Sequence, residues 1–382
     1  MDFDLSSEQI ELRELVIDFA RKELKSDDLA KDERDLCFRR EQWQALAKLG
    51  LLGLPMPEEY GGTERDLLTT SLAMEALGYA CPNNGLIFSL NAHLWSGQIP
   101  ILKFGSQEQK DRYLRRMVQG ELIAVHAITE ETSGSDAFNL RTRARATQSG
   151  FVLSGSKCFI TNAPVADLVI VFATEDPDLG TDGVSAFLVD RGTPGFRTSS
   201  AYDKLGLRTS PMGEIFLDDC EIPASQRLGG AGAGSAIFNS SMDNERACIL
   251  AANVGTLERQ LEECIERAKT RERFGQAIGK FQAISNKIAD MKVRLETARL
   301  LLYRAVSLRA SGKRASMESA MAKLYVSECM VRSSLDAVQI FGADGYMTEM
   351  GVERNLRDAI GGTIYSGTSE IQRMIIARYL GL

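Results

Sequence analysis

The distribution of proline divides this chain into two parts. All nine prolines lie at or before Pro223, so residues 224–382 contain none. Proline interrupts helices because it lacks a backbone N–H and its ring clashes with the preceding turn. A proline-free stretch of this length predicts long helices, and apolar residues recur at helical spacing in 283–311 and in 316–340.

The region before Pro223 changes character once. Its first third predicts helices: Ser6 and Gln9 have the spacing of a capping box, and two more helices are predicted around TTSLAMEALGYA and SQEQKDRYLRRMV. Short β-rich segments follow, among them LIAVHAIT, GFVLSGSKCFIT, DLVIVFAT, GVSAFLVD and GEIFLDDCEIP. We therefore expect an α+β fold with an N-terminal helical domain (1–120), a middle antiparallel β domain (121–228) and a C-terminal helical bundle (229–382).

Composition excludes several classes of function. The net charge of −7 argues against nucleic-acid binding. The seven cysteines are scattered without a CxxC pair, so neither a metal site nor a disulfide framework is predicted. The N-terminus MDFDLSSEQ is acidic and has no apolar signal core, and no apolar run is long enough to span a bilayer. We expect a soluble cytoplasmic protein without a membrane partner.

Two sequence features are expected to have structural roles rather than catalytic or cofactor-binding ones. GGAGAG (229–234) resembles a dinucleotide fingerprint, but no alternating βαβ pattern surrounds it, so a loop leading into a helix is expected. His93 and His126 are the only histidines, which leaves little material for a histidine-based triad, and packing roles are expected for both.

Four loops carry groups suited to a large polar cofactor. TEETSGSD (129–136) offers hydroxyls and a glycine that permits close backbone approach. FITNAP (159–164) spaces Phe159 and Thr161 to face the same side of a strand. RERFGQAIGKFQAI (271–284) contains arginines suited to a diphosphate, and QIFGADGY (339–346) puts glycines at a helix end. Each segment also has a structural alternative. In the same order, the alternatives are a Ser/Gly turn, a core phenylalanine, a solvated connection between helices and an ordinary helix stop.

Together with EEYGG (58–62) and YSGTSEIQR (365–373), these segments resemble the acyl-CoA dehydrogenase flavoprotein family, in order along the whole chain. The resemblance implies a C-terminal four-helix bundle, a homotetramer, and FAD bound between the β domain and the bundle. By motif, the implied FAD-binding residues are Ile128, Thr129, Ser135, Phe159, Thr161, Arg271, Phe274, Gln282, Gln339, Gly342, Thr368 and Glu370. Ser135, Arg246, Ser366 and Gly367 are the implied substrate-binding residues. Ala343 stands where the family usually has glycine.

The resemblance also raises a question about the catalytic base. Family members usually carry a glutamate where this chain has Ser366, and a serine does not act as a base at neutral pH. A minority place the base on a helix in a segment that resembles SMDNERACILAA (241–252), where Glu245 occupies the matching position. Glu245 is therefore the expected base, and the backbone N–H of Ser366 is expected to polarise the thioester carbonyl. A solvated helix glutamate is the alternative.

A narrower resemblance concerns the substrate. GLIFSLNAHLWSGQIP (85–100), FITNAPVADLVIVFA (159–173), GVSAFLVDRGTPG (183–195) and the combination of Glu245 with Ser366 are similar to L-prolyl-carrier-protein dehydrogenases. This implies oxidation of a prolyl thioester on a peptidyl carrier protein, toward pyrroline or pyrrole units. The alternatives are a short- or branched-chain acyl-CoA dehydrogenase, a flavin N-monooxygenase of the same fold, and a non-catalytic scaffold. The RYLRR segment (112–116) is a candidate contact for an acidic partner or a solvated helix face.

Overall fold

The computed structural model of the protein describes residues 5–25 and 28–382. Residues 1–4, the start of the acidic N-terminal sequence, lie outside the described part. The chain begins with seven helices in the described residues: α1 (Ser7–Glu23), α2 (Leu29–Arg34), α3 (Arg40–Lys48), α4 (Leu67–Ala80), α5 (Asn84–Ala92), α6 (Ile99–Phe104) and α7 (Gln107–Val118). A π-helical turn, His93–Gln98, joins α5 to α6.

Capping residues define where two of these helices begin. The Ser6 hydroxyl accepts from the Gln9 N–H and the Gln9 side chain accepts from the Ser6 N–H, so the predicted capping box of α1 is confirmed. Ser106 and Gln109 form the same reciprocal pair at α7. Each box satisfies backbone N–H groups that have no partner within the helix.

The middle of the chain forms one sheet. Its strands are β1 (Ala124–Ala127), β2 (Arg143–Ala146), β3 (Gly150–Thr161), β4 (Leu168–Thr174), β5 (Val184–Asp190), β6 (Phe196–Thr198), β7 (Met212–Pro223) and β8 (Arg227–Leu228). Their order is β6-β7-β3-β2-β4-β5-β8, with β1 paired to β4. Most pairs are antiparallel as predicted, but β1 and β2 run parallel to β4. Strand periodicity reports which residues share a face and carries no information about strand direction.

The C-terminal part is helical, as the absence of proline predicts. It contains α8 (Gly234–Cys248), α9 (Ala251–Thr270), α10 (Gln282–Ala310), α11 (Ser316–Phe341), α12 (Ala343–Tyr346), α13 (Val352–Gly362) and α14 (Ser369–Tyr379). A two-stranded hairpin, β9 (Glu272–Arg273) and β10 (Gln276–Ala277), separates α9 from α10. The two long helices confirm the predictions for 283–311 and 316–340. GGAGAG leads into α8, as expected.

The N-terminal and C-terminal helices share one apolar core. Trp43, Leu77, Leu257 and Leu302 belong to the same buried cluster. Helices α4 and α9 approach closely where they meet, because a Cβ added at Gly78 would lie 1.9 Å from the Ala252 carbonyl oxygen. This close packing anchors α9, which directly follows α8, against the N-terminal domain. Helix α8 itself packs against α11, the π-helical turn and strand β5 of the sheet.

The described residues contain neither a membrane-spanning helix nor a grouped set of metal ligands. None of the helices in 5–25 and 28–382 combines the length and apolar character needed to cross a bilayer. Over the same residues, no three histidine, cysteine, aspartate or glutamate side chains are grouped as metal ligands.

Candidate active site

A carboxylate is buried where three separate segments of the chain meet. Glu245 on α8 is 6% exposed. Its Oε2 accepts a hydrogen bond from the Ser96 hydroxyl in the π-helical turn, and its Oε1 accepts one from the Ser366 hydroxyl in the loop between α13 and α14. Both carboxylate oxygens are therefore held by hydroxyl donors, which excludes the alternative of a solvated helix glutamate.

Two cations hold the loop that carries Ser366. Arg246 Nε donates to the Ser366 carbonyl oxygen at 3.3 Å, and Lys323 Nζ on α11 donates to the Gly367 carbonyl oxygen at 2.7 Å. Lys323 is fully buried. Burial lowers its pKa to about 7, and Arg246 lowers it further while Glu245 opposes the change. The loop carbonyls are thus tied to the same charged cluster as the carboxylate.

The loop has an unusual backbone. Ser366 has a φ of 55° and Gly367 a φ of 89°, so two consecutive residues are left-handed. Such a conformation is costly for serine and persists where the surroundings impose it. Here the Ser366 side chain and carbonyl are both bonded, while its backbone N–H donates no hydrogen bond to any described residue. That N–H remains free to bind a ligand oxygen.

Aromatic rings limit the space beside this loop. Phe88 on α5 and Tyr365 lie with ring centroids 4.5 Å apart. Both line a small cavity of about 20 Å³, together with Ile249 and Met330. One water needs about 10–15 Å³ by the same measure, so this space holds little more than a single water molecule. The rings of Phe88 and Tyr365 thus pack closely beside the Ser366 loop.

A second group of predicted residues lies on β3 and on the loop that follows β1. Lys157 on β3 is buried, and its Nζ donates to the Ile128 carbonyl at 3.1 Å and to Glu130 Oε1 at 2.7 Å. The Cys158 N–H donates to the Thr129 carbonyl at 3.0 Å. The start of the TEETSGSD loop is therefore fixed against β3. Burial lowers the pKa of Lys157 to about 8, and Glu130 opposes that shift.

Phe159 and Thr161 also lie in this region, on the last residues of β3. Phe159 has a φ of 57°, and the pairing of β3 with β7 shifts register between Lys157 and Ile160. A bulge therefore interrupts the regular alternation of β3 at Phe159, and a shared face for the two side chains stays a prediction. Phe159 is 62% exposed rather than a core residue, and Thr161 is half-buried. Ser135 lies exposed in the adjoining loop.

His126 lies on β1 among Phe172 and Phe238, which agrees with the expected packing role. Its Nδ1 is buried and has no hydrogen-bond partner in the described residues. Burial lowers the pKa of His126, and the charge of Glu245 opposes this shift.

A third group lies on the far side of the helical part. Arg271, Phe274 and Gly342 line one cavity of about 420 Å³, and Phe274 is 94% exposed. Gln282 and Gln339 are exposed on α10 and α11 and do not line this cavity. Arg273 and Arg267 contribute further guanidinium groups to it.

Thr368 and Glu370 lie beyond the loop that carries Ser366. Thr368 caps α14, where its hydroxyl accepts from the Ile371 N–H at 3.3 Å. Glu370 is exposed in the first turn of α14. Its pKa is lowered by hydrogen bonds from its own backbone N–H and from the Thr368 hydroxyl.

Sequence reasoning missed Ser96 and Lys323. Ser96 is remote in sequence from both Glu245 and Ser366, and a serine within an apolar helical stretch carries no local signal of its function. Lys323 has a weak signal: it lies among apolar residues on a helix, and a buried lysine requires compensating partners. Tertiary structure alone identifies those partners.

Comparison with known proteins agrees with this geometry. The acyl-CoA dehydrogenase N-terminal, middle and C-terminal domain descriptions match residues 6–121, 126–220 and 232–381. The chain is 45% identical to L-prolyl-[peptidyl-carrier protein] dehydrogenase of Serratia sp., covering 100% of this chain and 99% of that protein.

Solved structures show the same likeness. The crystal structure of the prolyl acyl carrier protein oxidase AnaB matches with a TM-score of 0.98 and 47% identity over 99% of this chain and 100% of that one. The structure described as PigA with FAD and proline matches with a TM-score of 0.97 and 45% identity over the whole of both chains. The three-part order, the α+β fold and the full-length identity place this chain in the acyl-CoA dehydrogenase family.

Proposed function

We propose that this protein is an FAD-dependent dehydrogenase that oxidises the α,β C–C bond of an acyl thioester, with L-proline on a peptidyl carrier protein as the acyl group. The observation that carries the proposal is the buried carboxylate of Glu245 held between Ser96 and Ser366. The relatives named above, which act on prolyl groups or bind proline and FAD, support the choice of substrate and cofactor.

The residues present fit FAD. Phe159 leaves a large apolar face exposed at a bulge, where it would cover a flat ring. Ile128, Thr129, Ser135 and Thr161 would meet the flavin ring and its phosphates from the neighbouring loop and strand. FAD, when bound, supplies a hydride acceptor for the β-carbon of the substrate.

A separate cavity supports a contribution of a neighbouring subunit to FAD binding. Arg271, Phe274 and Gly342 line a cavity that is rich in guanidinium groups, which suits a diphosphate. We assign Arg271, Phe274 and Gln282 to the FAD of a partner subunit, together with Gln339 and Gly342, while Thr368 and Glu370 would complete the site. Exposed apolar side chains on α10, α11 and α14, such as Val293, Leu335 and Met374, support the homotetramer that this assignment needs.

The protein's own groups account for the proton step. The bond between Cα and hydrogen breaks heterolytically, and the proton passes to a carboxylate oxygen of Glu245. The Ser366 N–H would donate to the thioester carbonyl oxygen, where negative charge develops as the proton leaves. Arg246 and Lys323 keep the loop carbonyls fixed, so that this N–H stays directed toward the ligand.

The choice of a prolyl group over a long acyl chain rests on the relatives named above. The cavity of about 20 Å³ beside Phe88 and Tyr365 holds little more than one water molecule, so it does not distinguish one acyl group from another. We place the enzyme in the cytoplasm, where carrier-bound thioesters are made and used.

Anaerobic mixing with three ligands tests the proposal. The purified enzyme with bound FAD is mixed with prolyl-loaded carrier protein, with butyryl-CoA and with isovaleryl-CoA, and flavin absorbance is followed in a stopped-flow instrument. We expect rapid bleaching with the prolyl carrier protein only. Mass spectrometry of the carrier then shows a loss of two or four hydrogens from the prolyl group.

Other outcomes assign the protein differently. Rapid bleaching by a CoA thioester, without bleaching by the prolyl carrier, would identify an acyl-CoA dehydrogenase. An N-monooxygenase needs no α-carbon base, so full activity in Glu245→Gln would favour that alternative. A purified protein that binds no FAD would favour the non-catalytic scaffold.

A further inference from the structure

The basic segment that first suggests a partner surface is already paired. In RYLRR, Arg112 forms an ion pair with Asp190 at 2.6 Å and Arg116 one with Glu121 at 3.3 Å. Arg115 donates to the Glu59 carbonyl oxygen. These arginines connect α7 to neighbouring elements, so their charge is largely compensated within the chain.

Two other cations lack this compensation. Lys313 and Arg314 lie in the turn between α10 and α11, both exposed, and neither forms an ion pair or side-chain hydrogen bond with any described residue. Arg309 lies in the last turn of α10, and Lys103 lies exposed on α6. We call Lys103, Arg309, Lys313 and Arg314 the α10–α11 basic patch.

Contacts with α8 and the backbone of the turn connect these residues. Lys103 Nζ contacts Ser240 Oγ, and Arg309 Nη2 donates to Asn244 Oδ1 one helical turn further along α8. Burial lowers the pKa of Lys103, and the charge of Arg309 lowers it further. The Lys313 N–H donates to the Leu308 carbonyl oxygen and the Gly312 N–H to that of Arg309. Gly312 has a φ of 73°, which ends α10 and places Lys313 and Arg314 in the turn that follows Arg309.

The patch adjoins the candidate base through α8. Arg309 Nη2 donates to Asn244 Oδ1 at 2.7 Å, and Asn244 immediately precedes Glu245. Lys103 Nζ contacts Ser240 Oγ at 3.4 Å, and Asn244 Nδ2 donates to the Ser240 carbonyl one helical turn earlier. The patch therefore contacts α8 at Ser240 and at Asn244, the residue that precedes Glu245.

Few acidic groups offset this charge. Asp243 lies 3.7 Å from Arg309 and also accepts from Ser316, and Glu318 lies 3.9 Å from Arg304. Among the described residues named here, this surface therefore carries five cations, the four of the patch and Arg304, and two carboxylates. The chain as a whole carries −7, so this positive surface is a local reversal of the overall sign. Such a reversal steers a negatively charged partner to one place.

We propose that the α10–α11 basic patch is the docking surface for an acidic carrier protein that delivers its thioester-bound acyl group to Glu245. The inference deepens the proposed function, on which it rests. A flexible thioester-bearing arm must enter where the base is within reach, and this patch is joined to the residue next to the base. Charge complementarity accounts for the encounter.

Charge reversal provides the test. The double variant K313E/R314E changes two exposed turn residues that are not part of the catalytic machinery. We expect its KM for prolyl carrier protein to rise at least about tenfold at low salt, with kcat unchanged, and the dependence of KM on salt to weaken. Turnover of a small prolyl-pantetheine thioester, which lacks the carrier protein, should stay at the wild-type level.

A matched control uses another uncompensated basic surface. Arg143 and Arg145 on β2 are exposed and have no ion-pair partner in the described residues. The double variant R143E/R145E changes the charge by the same amount on a different element. We expect wild-type KM for both substrates. A rise in KM for the carrier substrate in this variant, without one in K313E/R314E, would overturn the proposal.

Direct binding separates this proposal from the proposed function. Fluorescence anisotropy with labelled holo carrier protein measures docking without catalysis. Weaker binding by K313E/R314E, in an enzyme that does not oxidise prolyl thioesters, would retain the docking surface and reject the substrate. Equal binding by wild type and variant, with normal prolyl oxidation, would reject the docking surface alone. Equal loss of activity on carrier and pantetheine substrates would also contradict it.

Discussion

The hydroxyl of Ser366 donates a hydrogen bond to Oε1 of Glu245, although the two residues lie 121 positions apart in the chain. Ser366, at the position where the family usually carries its base, thus donates to the carboxylate that we propose as the base of this enzyme. Ser96 bonds the other oxygen from a third segment. The orientation of the carboxylate depends on all three segments being in place.

Replacing the base tests the central assignment. Glu245→Gln keeps the size and hydrogen-bonding capacity of the side chain and removes its basicity. We expect the rate of flavin reduction by prolyl carrier protein to fall by about 10²–10⁴-fold, as general-base catalysis predicts. Anaerobic stopped-flow absorbance gives the rate, and the flavin spectrum verifies cofactor binding. Flavin reduction at the wild-type rate would contradict the assignment.

Ser96 is expected to position the carboxylate. Ser96→Ala removes one charge-assisted hydrogen bond, whose net value is about 1.5–3 kcal/mol. We expect kcat to fall about tenfold or more with little change in KM, and Ser96→Thr to restore most of the activity because it keeps the hydroxyl. Steady-state kinetics on all three proteins provides the comparison. A rise in KM alone would indicate a role in substrate binding instead.

Lys323 is expected to make the free energy of unfolding increase with pH. Burial lowers its pKa from 10.5 to about 7. Between these values the unfolded chain binds a proton that the folded chain has released, so this residue makes the free energy of unfolding increase with pH over that window. Lys323→Met lacks this titrating group. The free energy of unfolding of the wild type, relative to that of Lys323→Met, should therefore increase between pH 7 and pH 9, as measured by urea unfolding. Parallel curves for the two proteins would refute this.

The buried ion pair behind the TEETSGSD loop should be sensitive to loss of one partner. Glu130→Gln leaves Lys157 buried without its counter-charge. Breaking such a pair costs about 3–5 kcal/mol, so we expect a clearly lower unfolding midpoint. The double variant E130Q/K157M removes both charges and should recover part of the loss. No recovery would show that the backbone hydrogen bonds of Glu130, rather than the ion pair, stabilise the loop.

Much of the fold follows from local pattern. The capping box at Ser6, the long helices α10 and α11 and the main strands agree with the sequence predictions because helix caps and apolar periodicity act over a few residues. Strand direction is different, since β1 and β4 become parallel neighbours only after the intervening segments fold. The bulge at Phe159 likewise depends on how β3 pairs with β7.

The sequence by itself determined the family, the three-part order and the candidate base, because motif residues keep their order along the chain. Tertiary structure alone decided that Ser96 and Ser366 hold Glu245 and that Lys323 is buried against the Gly367 carbonyl. It also decided that RYLRR is paired, while Lys313 and Arg314 have no ion-pair partner within 5–25 and 28–382. Hydrogen bonds and ion pairs depend on distances of a few ångströms between segments far apart in sequence. Only the packing of helices and sheet establishes those distances.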